Sequence, residues 1–154
     1  MSYVKSVLQP EETVQFQTRL HWIVYLPGLV MLIPAIAAGI GGNYISEPDL
    51  RYACWAVGAV FLLFAVLKLL TEWIRRVTTE IAVTDRRVIY KRGLIRRYTI
   101  EINNDKIESV DVDQTVLGRL FNFGTVVIRG TGSAVEPLRN IHDPLHFRSY
   151  ITAR

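Results

Sequence analysis

The chain carries one cysteine, Cys54, and three histidines among its 154 residues. A lone cysteine excludes an internal disulfide and any zinc site built from cysteines, and its place inside an apolar run marks it as a small buried hydrophobe. Catalytic arrangements are missing as well. No serine stands in a nucleophile-elbow context, and no serine, cysteine or lysine has an evident base partner. The stretch Gly130-Thr131-Gly132-Ser133 leads into strand-like residues, where a dinucleotide fingerprint needs a helix, so it reads as a hairpin turn. The expectation is a non-enzymatic protein without a cofactor.

The most informative absence is that of charge. Residues 22–46 hold no charged side chain, and residues 52–70 hold only Lys68. About twenty apolar residues cross a hydrocarbon core of ~30 Å at ~1.5 Å per residue, so each window is long enough to span a membrane. Pro27 and Pro34 predict a kink of the kind membrane helices tolerate. His21, Trp22 and Tyr25 at one end and Tyr44 at the other suit an interfacial aromatic belt. Turn formers at 41–43 and 46–49 connect the windows, and small residues at helical spacing (Ala35/Gly39, Ala38/Gly42, Cys54/Gly58) would let two helices approach closely. A cleavable signal peptide competes for the first window, since 35–37 resembles a processing site. The segment ahead of it speaks against that: it is long, and Glu11 and Glu12 cancel Lys5 and Arg19, where a signal has a short basic region.

Charge of one sign is also unevenly spread. The chain has 18 basic and 14 acidic residues, a formal charge of +4. Only Lys5, Arg19, Arg51 and Lys68 among the basic residues precede Arg75. The loop between the two windows offers only Arg51, whereas the flanks offer Arg19, Lys68, Arg75 and Arg76. Lys68, Arg75 and Arg76 are therefore the topology-setting residues, and the positive-inside rule places both termini in the cytoplasm, on a multi-pass protein of the cytoplasmic (inner) membrane.

After Val77 the pattern turns strand-like. Alternation and β-branched residues predict strands over 79–84, 86–92, 95–102, 107–113, 124–130 and 134–141, with turns at Gly93 and 103–105 and a short helical or turn segment over 114–122. Val14, Phe16 and Leu20 add a strand over 13–20, with a frayed interfacial tail as the competing reading. Asp143 as cap and Pro144 in the first turn open a C-terminal helix over 144–152, turning Phe147, Tyr150 and Ile151 inward. The expected fold is a membrane α-hairpin of two transmembrane helices plus an all-β barrel or sandwich of about seven strands, capped by a C-terminal helix. The expected division is 1–20 as an N-terminal strand joining the β-domain, 21–70 as the transmembrane hairpin and 71–154 as the cytoplasmic domain.

Three ordered motifs in this region, TDRRVIYKRGL at 84–94, KIESV at 106–110 and LGRLFNFGTV at 117–126, resemble the bacterial pleckstrin-homology (PH) membrane proteins of the YdbS type. The resemblance covers roughly residues 11–151 and implies a PH-like fold on a membrane hairpin. Eukaryotic PH domains hold inositol phosphates around the loop between their first two strands. Here the two membrane helices occupy that place, so the usual lipid pocket does not carry over.

The candidate site is the stretch 73–97, with eight basic residues against Glu80 and Asp85. Its lipid- or anion-binding candidates are Arg86, Arg87, Lys91, Arg92, Arg96 and Arg97. A tight turn at Gly93 would set Lys91 and Arg92 across from Arg96 and Arg97, a repulsive arrangement unless an anion sits between them. Docking on anionic lipid headgroups, a solvated flank that only sets topology, and an acidic protein partner compete as readings. Nucleic acid is disfavoured because the cluster follows directly on a membrane helix. His142 and His146 are four apart, but the helix start falls between them, so no metal site is expected. Asp111 and Asp113 share a strand face that reads as solvated. The expected role is presenting a cytoplasmic β-module for anionic membrane-surface contact or membrane-complex assembly, with the bilayer and a protein partner or second copy as partners. The alternative is an accessory subunit of a transporter, secretion or envelope-stress complex.

Overall fold

The computed structural model describes residues 4, 7–94, 97–131, 133–134 and 137–152. The chain divides into two compact units: Trp22–Ile74, and a second unit that joins Met1–His21 to Arg75–Arg154.

The first unit is a helical hairpin. A 3-10 turn at Trp22–Tyr25 leads into helix α1, Leu26–Gly41, with Pro27 in its opening turn and Pro34 inside it. Gly42–Tyr44 forms another 3-10 turn, and α2 then runs over Pro48–Thr78. Small residues bring the helices together: a Cβ on Gly58 would lie 3.2 Å from both the Ala35 carbonyl oxygen and the Ala38 Cβ, and the Cys54 thiol donates to the Ala38 carbonyl at 3.3 Å. Both helices are long and apolar enough to cross a membrane, Trp22–Tyr44 with a mean hydropathy of 2.2 and Pro48–Thr78 with 2.3. Only 17% and 11% of their apolar windows are buried, whereas the core helix of a water-soluble unit would be mostly buried.

Helix α2 does not stop at Leu70, where its apolar run ends, but continues to Thr78. No glycine or proline interrupts 71–78, and Lys68 and Glu72 pair at 3.6 Å across one turn. The helix ends where β-branched residues take over and the Thr79 hydroxyl donates back to the Arg75 carbonyl at 2.7 Å. Trp73, Arg75 and Arg76 are thus helical, and the basic stretch straddles a helix and a sheet.

The second unit is a two-sheet sandwich. Strands β1 (Val14–Thr18), β2 (Glu80–Thr84), β3 (Arg87–Arg92) and β4 (Tyr98–Asn103) form one antiparallel sheet in that order. In the other, β5 (Ile107–Asp113) pairs with β6 (Phe123–Gly130), whose far edge carries β7 (Ser133–Ala134) and β8 (Leu138–His142). The last strand expected from the sequence is therefore two strands, with Pro137 before the second, since proline has no N–H to give a continuous ladder. Between β5 and β6 lies a short helix α3, Val116–Leu120.

Ile81, Val83 and Val88 from one sheet meet Val110, Val126, Ile128, Leu138 and Ile141 from the other, and Phe147 and Ile151 of the C-terminal helix α4 (Pro144–Thr152) close this core. Tyr150 stacks on Phe16 with ring centroids 4.9 Å apart, holding α4 to β1. Asp143 opens α4 as the expected cap: from a left-handed backbone at φ 54, its carboxylate takes the His146 backbone N–H and also the His146 ring, the latter at 2.6 Å.

Candidate functional site: a cavity faced by arginines

Strand β3 divides the basic stretch by its period of two. Val88 and Tyr90 face the core opposite Val83 and Ile81, and Arg92 follows them on the same face. Arg87, Ile89 and Lys91 face the other way, with Ile89 opposite Ala82 and Lys91 opposite Glu80 on β2.

The outward set is consumed by carboxylates. The Arg87 guanidinium binds both oxygens of Glu12, at 3.0 and 2.8 Å, and reaches Glu101 at 2.7 Å and the Val7 carbonyl at 2.9 Å. Glu12, whose side chain is fully buried, also accepts from the Thr84 hydroxyl at 2.7 Å. Its hydrogen bonds from Arg87 outweigh burial and hold its carboxyl down to about 2, while Arg87 itself is pushed up, chiefly by Glu12. Lys91 lies 3.8 Å from Glu80. Arg87 is thus removed from the anion-binding candidates: it fastens the N-terminal segment to the sheet.

The inward set ends at a cavity of about 380 Å³ within the β unit, on which Arg92, Arg75 and Arg139 converge. Tyr90 adds a phenol, and Leu20, Ile81 and Leu138 supply apolar lining. No described lining residue is a carboxylate. Arg75 comes from the last turn of α2, Arg92 from the end of β3 and Arg139 from β8. The Arg92 guanidinium lies over the ring of its cross-strand neighbour Tyr98, 5.4 Å from the centroid.

The expected row of facing like charges is not formed. Lys91 is opposite Thr99 and Arg92 opposite Tyr98, because the connection around Gly93, at φ 98, is longer than a tight turn and leaves Arg97 beyond the ladder. Arg97 and Arg86 are exposed, and Arg96 lies outside the described residues. Lys68 pairs with Glu72, while the Arg76 guanidinium donates to the Leu20 carbonyl at 3.1 Å.

His21, read from the sequence as part of an aromatic belt, is instead buried in the β unit. Its ring stacks on Phe123 at 5.2 Å and on His142 at 5.5 Å. Burial above all, then the charges of His142 and Arg76, push its pKa down against an opposing bond to the Phe121 backbone. His142 and His146 are thereby parted, one in this stack and the other on Asp143. Asp111 pairs with Arg129 at 3.1 Å on the surface. Among the described residues no three histidine, cysteine or acidic side chains cluster as a metal site.

Sequence reasoning missed Glu12, whose partner is 75 residues away, and Arg139, which sits outside the basic run. A signal for the division of β3 was present: Val88, Tyr90 and Arg92 occupy alternate positions.

Two antiparallel sheets around one core, closed by a C-terminal helix, make the second unit a PH-like domain. The profile of the bacterial PH domain matches residues 22–154, and the chain belongs to that family. No curated protein and no solved structure matches it. Membership suggests a module for membrane or lipid contact.

Proposed function

We propose that the protein is a non-enzymatic, two-pass component of the cytoplasmic membrane, of the YdbS-like type, whose PH-like unit holds an anionic lipid headgroup on its cytoplasmic side. The observation that carries this reading is the convergence of Arg75, Arg92 and Arg139 on one cavity. Three arginines line a space of about 380 Å³, and guanidinium forks match phosphate oxygens. That volume falls within the ~300–1,000 Å³ of small-ligand pockets.

Supply of such a headgroup follows from the chain itself. Arg75 lies five residues past Leu70 on α2, and at ~1.5 Å per residue it reaches the headgroup layer when the apolar part of that helix is in the hydrocarbon. Arg75 then serves both topology and binding, and exposed Arg86 and Arg97 add general attraction to an anionic leaflet.

The test is lipid retention by full-length protein in detergent, measured by native mass spectrometry against phosphatidylglycerol and phosphatidylcholine. Wild type should retain phosphatidylglycerol preferentially. Replacing both Arg92 and Arg139 by Ser should weaken that preference by roughly 30-fold, at ~1 kcal/mol per basic side chain. Equal retention by the variant would exclude the cavity as the headgroup site.

One observation favours a second reading, an accessory subunit gripped through its helices. The hairpin bears an open apolar groove of about 380 Å³ beside Ala35, Gly39, Gly58 and Ala59. A stoichiometric membrane partner copurifying in detergent, and lost on Gly39→Leu, would favour it over lipid alone.

A further inference from the structure

Helix α3 inverts the usual arrangement of a short surface helix, which turns its apolar side chains to the core. Here only Gly118 is buried, while Val116, Leu117, Leu120 and Phe121 are 85%, 57%, 74% and 42% exposed. The inversion is built in. The Thr115 hydroxyl accepts from the Gly118 amide at 3.1 Å, and the Gln114 amide donates to the Phe123 carbonyl at 3.1 Å. A Cβ on Gly118 would come within 2.6 Å of that carbonyl oxygen, so glycine is what seats the helix on β6. Polar groups and glycine thus fix the inner side, and four large apolar side chains are held in the open. Single exposed hydrophobics are ordinary, but four contiguous ones on a rigid element mark a contact surface.

The place of α3 in the fold indicates its partner. His21 stacks on Phe123 and bonds to the Phe121 backbone, which ties the loop carrying α3 to the last residue before the first apolar helix. One peptide bond later, Trp22 begins the segment long and apolar enough to cross a membrane. Arg119, between the apolar pairs and exposed, suits phosphate at the same level.

We infer that α3 is an interfacial membrane contact: Val116, Leu117, Leu120 and Phe121 enter the boundary between headgroups and acyl chains where the chain passes into the bilayer. The inference rests on the membrane reading of the hairpin, but not on the arginine cavity.

The test uses full-length protein with Cys54→Ala in vesicles of phosphatidylethanolamine and phosphatidylglycerol, carrying a bimane label on a single cysteine placed by Leu120→Cys, Phe64→Cys or Glu108→Cys. All three sites are exposed, so the label leaves the core intact. The label at 120 should emit to the blue of that at 108, lose iodide quenching, and be quenched by lipid spin-labelled near the headgroup. The label at 64 should be quenched by lipid spin-labelled deep in the acyl chain. Iodide access at 120 equal to that at 108, or shielding without quenching by lipid, as a second copy or a protein partner on the patch would give, overturns the inference while quenching at 64 leaves the hairpin reading standing. Absence of lipid quenching at 64 brings down both.

Discussion

Arg87 and Arg92 open and close the same strand, yet one is a fastener and the other faces a cavity. Arg87 makes four hydrogen bonds, to Glu12, Glu101 and Val7, while Arg92 lies over Tyr98 beside Arg75 and Arg139. Their spacing decides this: an odd separation along a strand puts two side chains on opposite faces. A run of like charge is therefore not a unit of function. On the outer face every described basic side chain of β3 finds a carboxylate, and on the inner face Arg92 lines a cavity together with Arg75 and Arg139.

The strongest way to break the comparison is to remove the fastener. Arg87→Met would leave the Glu12 carboxylate buried without its cation, and loss of one partner of a buried pair costs about 3–5 kcal/mol. Amide hydrogen exchange in β2 and β3 of the full-length protein should show protection falling by that amount, with the hairpin helices unaffected. A loss below ~1 kcal/mol would place Arg87 among ordinary surface ion pairs.

Acid should reach the same contact more gently. Glu12 keeps its charge in the fold down to about 2 but takes up a proton near 4.5 once unfolded. Between those values the unfolded chain binds more protons, so the contribution is complete above pH 4.5 and is lost as pH falls towards 2, about 3 kcal/mol in all. Glu12→Gln should start less stable at neutral pH and show a flatter acid limb in the same exchange measurement.

Much of this fold was legible because it is local. Alternation located the strands, Gly93 marked a turn that its positive φ requires, and Asp143-Pro144 marked the start of α4. The absence of charge located both apolar helices. What escaped depends on contacts distant in sequence or on propensities too even to mark a boundary. Helix α2 runs past its apolar segment because nothing in 71–78 stops it, and the final strand divides ahead of Leu138 beside a proline whose position alone did not say which ladder it would interrupt. Of the candidate site, Arg92 was legible, and so was Arg75, though for topology alone. Arg139 was not, because only the pairing of β8 with β6 places it at the cavity. Glu12 was passed over as one of two acids balancing an N-terminal segment, when its partner is a strand end 75 residues later.

The smallest expected effect sharpens the comparison most. Arg92→Ser removes a guanidinium that lies over the Tyr98 ring, a contact worth about 0.5–1 kcal/mol where water reaches it. Protection in β3 should therefore change by less than ~1 kcal/mol, well under the loss from Arg87→Met on the same strand. Arg92→Lys separates the two contributions at this position: it keeps the charge that a phosphate would use but not the flat surface that lies on Tyr98. If the residue works mainly through charge, Lys should restore most of the phosphatidylglycerol preference lost in Ser while leaving the small loss of protection in place. Equal losses of protection for Arg92→Ser and Arg87→Met would mean that both faces of β3 are held by their arginines, and that the cavity is a structural feature of the sandwich.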